Sequence, residues 1–140
     1  MRLTHWIVLI AALHVGFLIL ETFFWESASE RLAPYLASGA PGEGEHGREM
    51  VRALFWNQGI YNGFLAAGLL WSAASLRDAS GYEGRRPAIF FLSCVAIAGL
   101  FGFFTVNHAP VFLVQAVPAG VVLAVLLLRG GQSPEPASGR

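Results

Sequence analysis

Four long apolar runs dominate this chain and leave little sequence for anything else. A helix needs about 20 mostly apolar residues to cross roughly 30 Å of hydrocarbon. The runs at 4–25, 54–75, 88–106 and 110–128 each reach or approach that length. The predicted fold is therefore all-α: an integral membrane four-helix bundle, one domain over residues 1–129. Only 13% of the residues are charged, about half of the roughly 25% usual in a soluble domain. Nine arginines, with no lysine, balance nine acids, so there is no basic excess to neutralise phosphates and nucleic-acid binding is not expected. Cys94 is the single cysteine, which excludes an intramolecular disulfide framework, a dithiol shuttle and a thiolate-rich metal site. The first run is too long for a cleavable signal peptide and lacks a small-x-small site before a polar sequence, so it is expected to stay.

Arginine placement predicts the orientation. The N-terminus, the second connection and the C-terminus hold Arg2, Arg77, Arg85, Arg86, Arg129 and Arg140, while the first connection holds Arg31, Arg48 and Arg52. The excess places both termini in the cytoplasm. Trp6 and Trp25 bracket the first run, Trp56 and Trp71 the second, as indoles at the two interfaces would. The first connection, 26–53, contains Pro34, Pro41 and the glycine-rich stretch 39–47, and reads as a loop with a short interfacial helix over Glu30–Leu36. Asn107-His108-Ala109-Pro110 reads as a tight turn, its proline suited to a first helical turn. The tail from 130 to 140 has too little apolar content to order itself.

Polar residues inside the runs carry the functional signal, because such groups are costly in a bilayer. At about 1.5 Å per residue, Glu21 lies about 6 Å below the outer interface. Tyr61, Asn62 and Gln115 lie about 8–9 Å below it on the same scale. Thr105, Asn107 and His108 close the outer end of the third run. Polar groups thus converge on one layer of the outer half, with little comparable in the inner half. In the second run, Asn57 and Tyr61 share one helical face and Gln58 and Asn62 another. Beside them Gly59 and Gly63 form a small-xxx-small edge that lets a helix approach closely, and through which a homodimer could form. The plain alternative for these polar residues is interhelical glue.

Glu21 is the only acid inside a run. Desolvation disfavours the charged form of a carboxyl in such a layer. Neutral it can donate a proton to a substrate oxygen, and ionised it can accept one. Glu21 is the first catalytic candidate. His14 is the second, two turns away on the same face and about 10 Å deeper, as either a hydrogen-bonded core residue or the floor of a polar pocket. That separation is awkward for one shared metal ion. His14 and His108 differ in depth by about 15 Å, so they cannot be opposed haem ligands. No metal and no cofactor is expected. Asn57, Gln58, Tyr61, Asn62 and Gln115 are the candidate ligand-binding residues. Pro118 should kink the fourth run just below Gln115. The clustered phenylalanines Phe90, Phe91, Phe101, Phe103 and Phe104 fit lipid-facing or packing positions better than a ligand box.

His14, Glu21 and Trp25, then Asn57-Gln58-Gly59-x-Tyr61-Asn62-Gly63-Phe64-Leu65-Ala66, then Gln115-x-x-Pro118-Ala119, resemble a bacterial membrane family labelled only as domain of unknown function thirteen-zero-four. The resemblance covers about Thr4 to Leu128 and implies a compact four-helix protein of the bacterial inner membrane. It brings no activity. The residues themselves suggest a binder or enzyme for a lipophilic small molecule, working by metal-free acid–base chemistry such as isomerisation, epoxide opening or cyclisation. The alternatives are a transport or proton-conducting module, which needs a polar track through the inner half, and a non-catalytic accessory subunit of a membrane complex.

Overall fold

The computed structural model describes residues 3–32, 44–77, 83–106, 110 and 112–130. The Pro34–Pro41 stretch, the turn residues Asn107, His108 and Ala109, and the tail beyond Gly130 lie outside the described residues. Every described element is helical: α1 Leu3–Phe23, α2 Trp25–Leu32, α3 Gly44–Ser75, α4 Arg85–Val106, a π-helical turn π1 at Phe112–Ala116, and α5 Val117–Gly130. Three segments are long and apolar enough to cross a membrane: Leu3–Phe23, Arg85–Thr105 and Phe112–Arg129. The helix α3 is not one of them, since Asn57, Gln58 and Asn62 dilute its apolar run.

Two elements differ from the sequence expectation. The short helix of the first connection begins at Trp25 rather than Glu30. It follows α1 directly, with Phe24 N–H donating to Leu20 O and Ala28 N–H to Phe24 O, both at 3.0 Å, so the hydrogen-bond ladder passes through the bend at Phe24. Glu26 in its first turn and Arg31 in its last oppose the helix dipole in the favourable sense. The second difference is that α3 starts at Gly44, about three turns before the expected Leu54. Glu45, Arg48, Glu49 and Arg52 alternate in sign at three- and four-residue spacing, which supports a helix in water. Gly44 and Gly47, two of the glycines that favour a loop, are therefore carried inside the helix.

One apolar core draws on four helices: Ile7, Ile10 and Ala11 of α1, Leu69 and Ala73 of α3, Ala88, Leu92 and Val95 of α4, and Ala119, Val122 and Leu126 of α5. The most extensive packing is between α1 and α3. On α3 the stripe facing inward runs Gly59, Asn62, Ala66, Leu69, Ala73, steps of three and four that follow one helical face. Gly68 lies under the Phe91 ring, and a Cβ on Gly99 would come within 2.7 Å of the Ala116 backbone nitrogen. The α4 backbone thus meets π1 directly. Pro118 is the second residue of α5, which follows π1 without a break, so its missing N–H and its ring fall against a preceding helical turn. The irregularity expected of it falls one step earlier, as the π turn. Phe90, Phe101 and Phe104 point outward, and Phe103 packs on Phe112 with ring centroids 5.5 Å apart.

At the opposite end from α2, Arg85 Nη2 donates to Leu126 O at 3.2 Å. That carbonyl lies one turn from the end of α5, so the contact ties the start of α4 to the end of α5. Arg85→Met keeps the aliphatic stem and removes the donor. It should cost about 1 kcal/mol, read as a lowered midpoint in thermal unfolding of the purified protein.

Candidate functional site

Two polar contacts hang on one face of α1. Asn62, buried on α3, donates from Nδ2 to Glu21 Oε2 at 2.7 Å. Glu21 itself is half-buried. Two turns away, His14 is fully buried, its Nδ1 2.8 Å from the carbonyl oxygen of Ile10. A carbonyl can only accept, so Nδ1 carries the hydrogen and Nε2 is left as the acceptor. The Gln115 amide nitrogen reaches that Nε2 at 3.5 Å, at the long limit of a hydrogen bond. Phe17 packs edge-on to the imidazole, with centroids 5.6 Å apart. The tautomer and the ring plane of His14 are thus both held.

The π turn explains how Gln115 arrives there. A π turn adds one residue to a helical turn and shifts which side chains face inward. Ala116 is buried against α4 while Gln115, half-buried, faces α1.

Beside Glu21, α1 and α3 approach closely. A Cβ on Gly59 would meet Thr22 Oγ1 at 2.6 Å, Leu18 O at 3.3 Å and Glu21 Cβ at 3.5 Å. Gly63 rests on the Leu18 methyls. The small-residue edge of α3 is therefore covered by α1 of the same chain. The Thr22 hydroxyl is buried and has no hydrogen-bond partner. Sequence reasoning passed over Thr22, although its place beside Glu21 and opposite a glycine edge was a usable signal.

The remaining candidates sit off this face. Asn57, Gln58 and Tyr61 are exposed, with Tyr61 stacked edge-on to Phe64 at 6.4 Å. Gln58 shares a face with Asn62 in projection, but burial follows the Gly59–Asn62–Ala66 stripe and Gln58 falls to one side of it. Thr105 Oγ1 donates back to Phe101 O at 3.0 Å on its own helix. The structure therefore joins Glu21 with Asn62 and His14 with Gln115. It does not bring Asn57, Gln58 or Tyr61 into contact with either pair.

One open cavity of about 690 Å³ lies next to α2, lined by Trp25, Glu26, Glu45, Arg48, Glu49 and Arg52. Arg48 Nη2 donates to Glu26 Oε1 at 3.1 Å across it, and the Arg52 guanidinium stands 5.3 Å over the Trp56 ring. The sequence expectation placed a loop here, so this feature was missed. Among the described residues no group of three or more His, Cys, Asp or Glu side chains could hold a metal ion.

In comparison with known families, the one described as "Protein of unknown function (DUF1304)" matches residues 8–127. That interval contains both polar pairs, Thr22 and the six residues of the cavity. Neither a curated protein nor a solved structure matches the chain.

Proposed function

Since the chain belongs to this family of proteins of unknown function, its role rests on its own geometry, and we propose a multi-pass membrane protein that binds or transforms a lipophilic small molecule. In this reading α3 joins the three apolar helices as a fourth span, giving a transmembrane four-helix bundle with both termini in the cytoplasm. Its polar residues are tolerated because Asn62 turns inward, while Asn57, Gln58 and Tyr61 lie near the outer interface. The exposed exterior supports this placement: Phe104 and Leu128 are 73% and 76% exposed, an apolar surface that water disfavours and lipid accepts.

The observation that carries the function is the 2.7 Å contact from Asn62 to a half-buried Glu21. Asn62 fixes one carboxyl oxygen and leaves the group partly accessible, the arrangement required of an acid or base that meets a substrate. The unpartnered Thr22 hydroxyl next to it is sealed between α1 and Gly59, so it would meet a ligand oxygen only where the two helices part. His14 and Gln115 form a prearranged pair deeper along the same face. The accessory-subunit reading also has an observation in its favour, because both polar pairs cross between helices as glue would. A conducting path through one copy is less well supported, since the core at the other end consists of residues such as Ile7, Leu69, Leu92 and Leu126. A homodimer in the bilayer would need a surface other than the Gly59/Gly63 edge.

Mass spectrometry of what co-purifies with the protein tests this function. An oxygen-bearing lipophile should accompany the wild type and be lost from Asn62→Leu. Identical, ligand-free spectra for both would leave the accessory reading ahead. The orientation has its own test in a Cys94→Ala background. Glu30→Cys should react with an impermeant maleimide on intact cells, and Glu83→Cys should be protected until the membrane is opened. The reverse pattern would invert the topology.

A further inference from the structure

The charged cavity beside α2 plays no part in the acid–base reading, and its wall has an unusual composition. Arg48 and Arg52 are four residues apart on α3, as are Glu45 and Glu49, so both signs are presented along one side of the helix. Trp25 and Glu26 of α2 close the opposite side. Two arginines against three glutamates leave the wall one charge negative. The cavity's volume of about 690 Å³ falls in the range of small-molecule sites, roughly 300–1,000 Å³.

We propose that this cavity binds a zwitterionic phospholipid headgroup, a primary ammonium tethered to a phosphodiester. Guanidinium groups suit phosphate oxygens, and Arg48 and Arg52 can offer theirs from adjacent turns. Glu45 and Glu49 then face the ammonium, and the Trp25 ring gives it an aromatic surface. The net negative wall discriminates against a headgroup that carries phosphate alone. The Glu26–Arg48 contact that spans the cavity is well exposed, its side chains 61% and 68% accessible, so it is readily exchanged for a ligand. Trp25 stands one turn beyond Glu21 on the chain, and indoles settle at headgroup level. The inference rests on the membrane placement proposed above, but not on catalysis by Glu21.

The test is native mass spectrometry of the full-length protein in nanodiscs containing equal amounts of phosphatidylethanolamine and phosphatidylglycerol. The ethanolamine lipid should be retained on the order of tenfold more strongly, a difference typical of one charge-assisted contact. Glu45→Gln with Glu49→Gln, and separately Arg48→Gln with Arg52→Gln, should bring the two lipids to parity at unchanged helicity. Glu21→Gln should leave the preference intact, which separates this site from the acid–base one. Soluble glycerophosphoethanolamine, added to detergent-purified protein, distinguishes the source of the ligand and reads the cavity independently of topology. Weak competition supports a lipid, and competition at equal concentration supports the same site serving a free zwitterion. Equal retention of both lipids by the wild type, or a preference that survives both double substitutions, would overturn the proposal.

Discussion

Glu21→Gln is expected to lower turnover by about 10²–10⁴-fold, the usual contribution of a general acid or base, while the protein still folds. Glutamine matches the shape of a neutral carboxyl, and its amide oxygen can still accept from Asn62 Nδ2, which now reaches Glu21 at 2.7 Å. What it cannot do is exchange a proton. Hydrogen bonds between membrane helices contribute about 0.6 kcal/mol on average, so stability should hardly register the change. Asn62→Leu should behave differently: it keeps the carboxyl but frees it from its fixed position, so activity falls less and ligand retention falls more. Complementation of a strain lacking the gene gives the readout, with expression and helicity as controls. Full complementation by Glu21→Gln would remove the acid–base role and leave the carboxyl as a helix contact.

The parts of the molecule legible in the sequence are those set by long runs of one chemistry. The apolar stretches of α1, α4 and π1–α5 end within a few residues of where hydropathy puts them. Pro118 marked the irregular turn because a missing N–H and a ring against the preceding turn leave few helical solutions. Glu21 and Asn62, matched in depth on neighbouring helices, meet. What hydropathy could not carry is rotation about a helix axis. Asn57, Gln58, Tyr61 and Asn62 lie within two turns of each other, and only packing against α1 selects Asn62 for the interior. Residues 44–53, expected as part of a loop, are helix for a related reason. Glycine and proline at 39–47 dominated the local reading, whereas the charge alternation from Glu45 to Arg52 favours helix only as a summed effect of several weak pairs. The cavity depends on that helix and on α2 together, so it was invisible until both were placed.

The close approach of α1 and α3 at Gly59 allows a sharper test, because one atom, Thr22 Oγ1, fills most of the space a side chain there would need. Gly59→Ala places a Cβ 2.6 Å from Thr22 Oγ1, well inside van der Waals contact, with Leu18 O at 3.3 Å and Glu21 Cβ at 3.5 Å. Overpacking of this kind costs about 1–3 kcal/mol, and the helices must part just where Asn62 reaches Glu21, so activity should fall with stability. Thr22→Ala removes the obstructing hydroxyl. Alone it should be close to neutral or stabilising, because a buried hydroxyl without a partner is itself a cost of about 1–3 kcal/mol. Combined with Gly59→Ala it should restore most of the lost stability, since the contacts that remain need only small adjustment. Gly63→Ala is the control, meeting only the Leu18 methyls at 3.5 and 3.8 Å, and should be tolerated. The double-mutant cycle, read by thermal unfolding, should therefore give a coupling of at least about 1 kcal/mol between Thr22 and Gly59. Additive effects would mean that α1 and α3 do not meet at these residues, and the Glu21–Asn62 contact would lose the scaffold that sets its distance. If stability is rescued but ligand retention is not, the Thr22 hydroxyl itself is engaged by the ligand, which is the outcome expected if the buried oxygen serves the site rather than the fold.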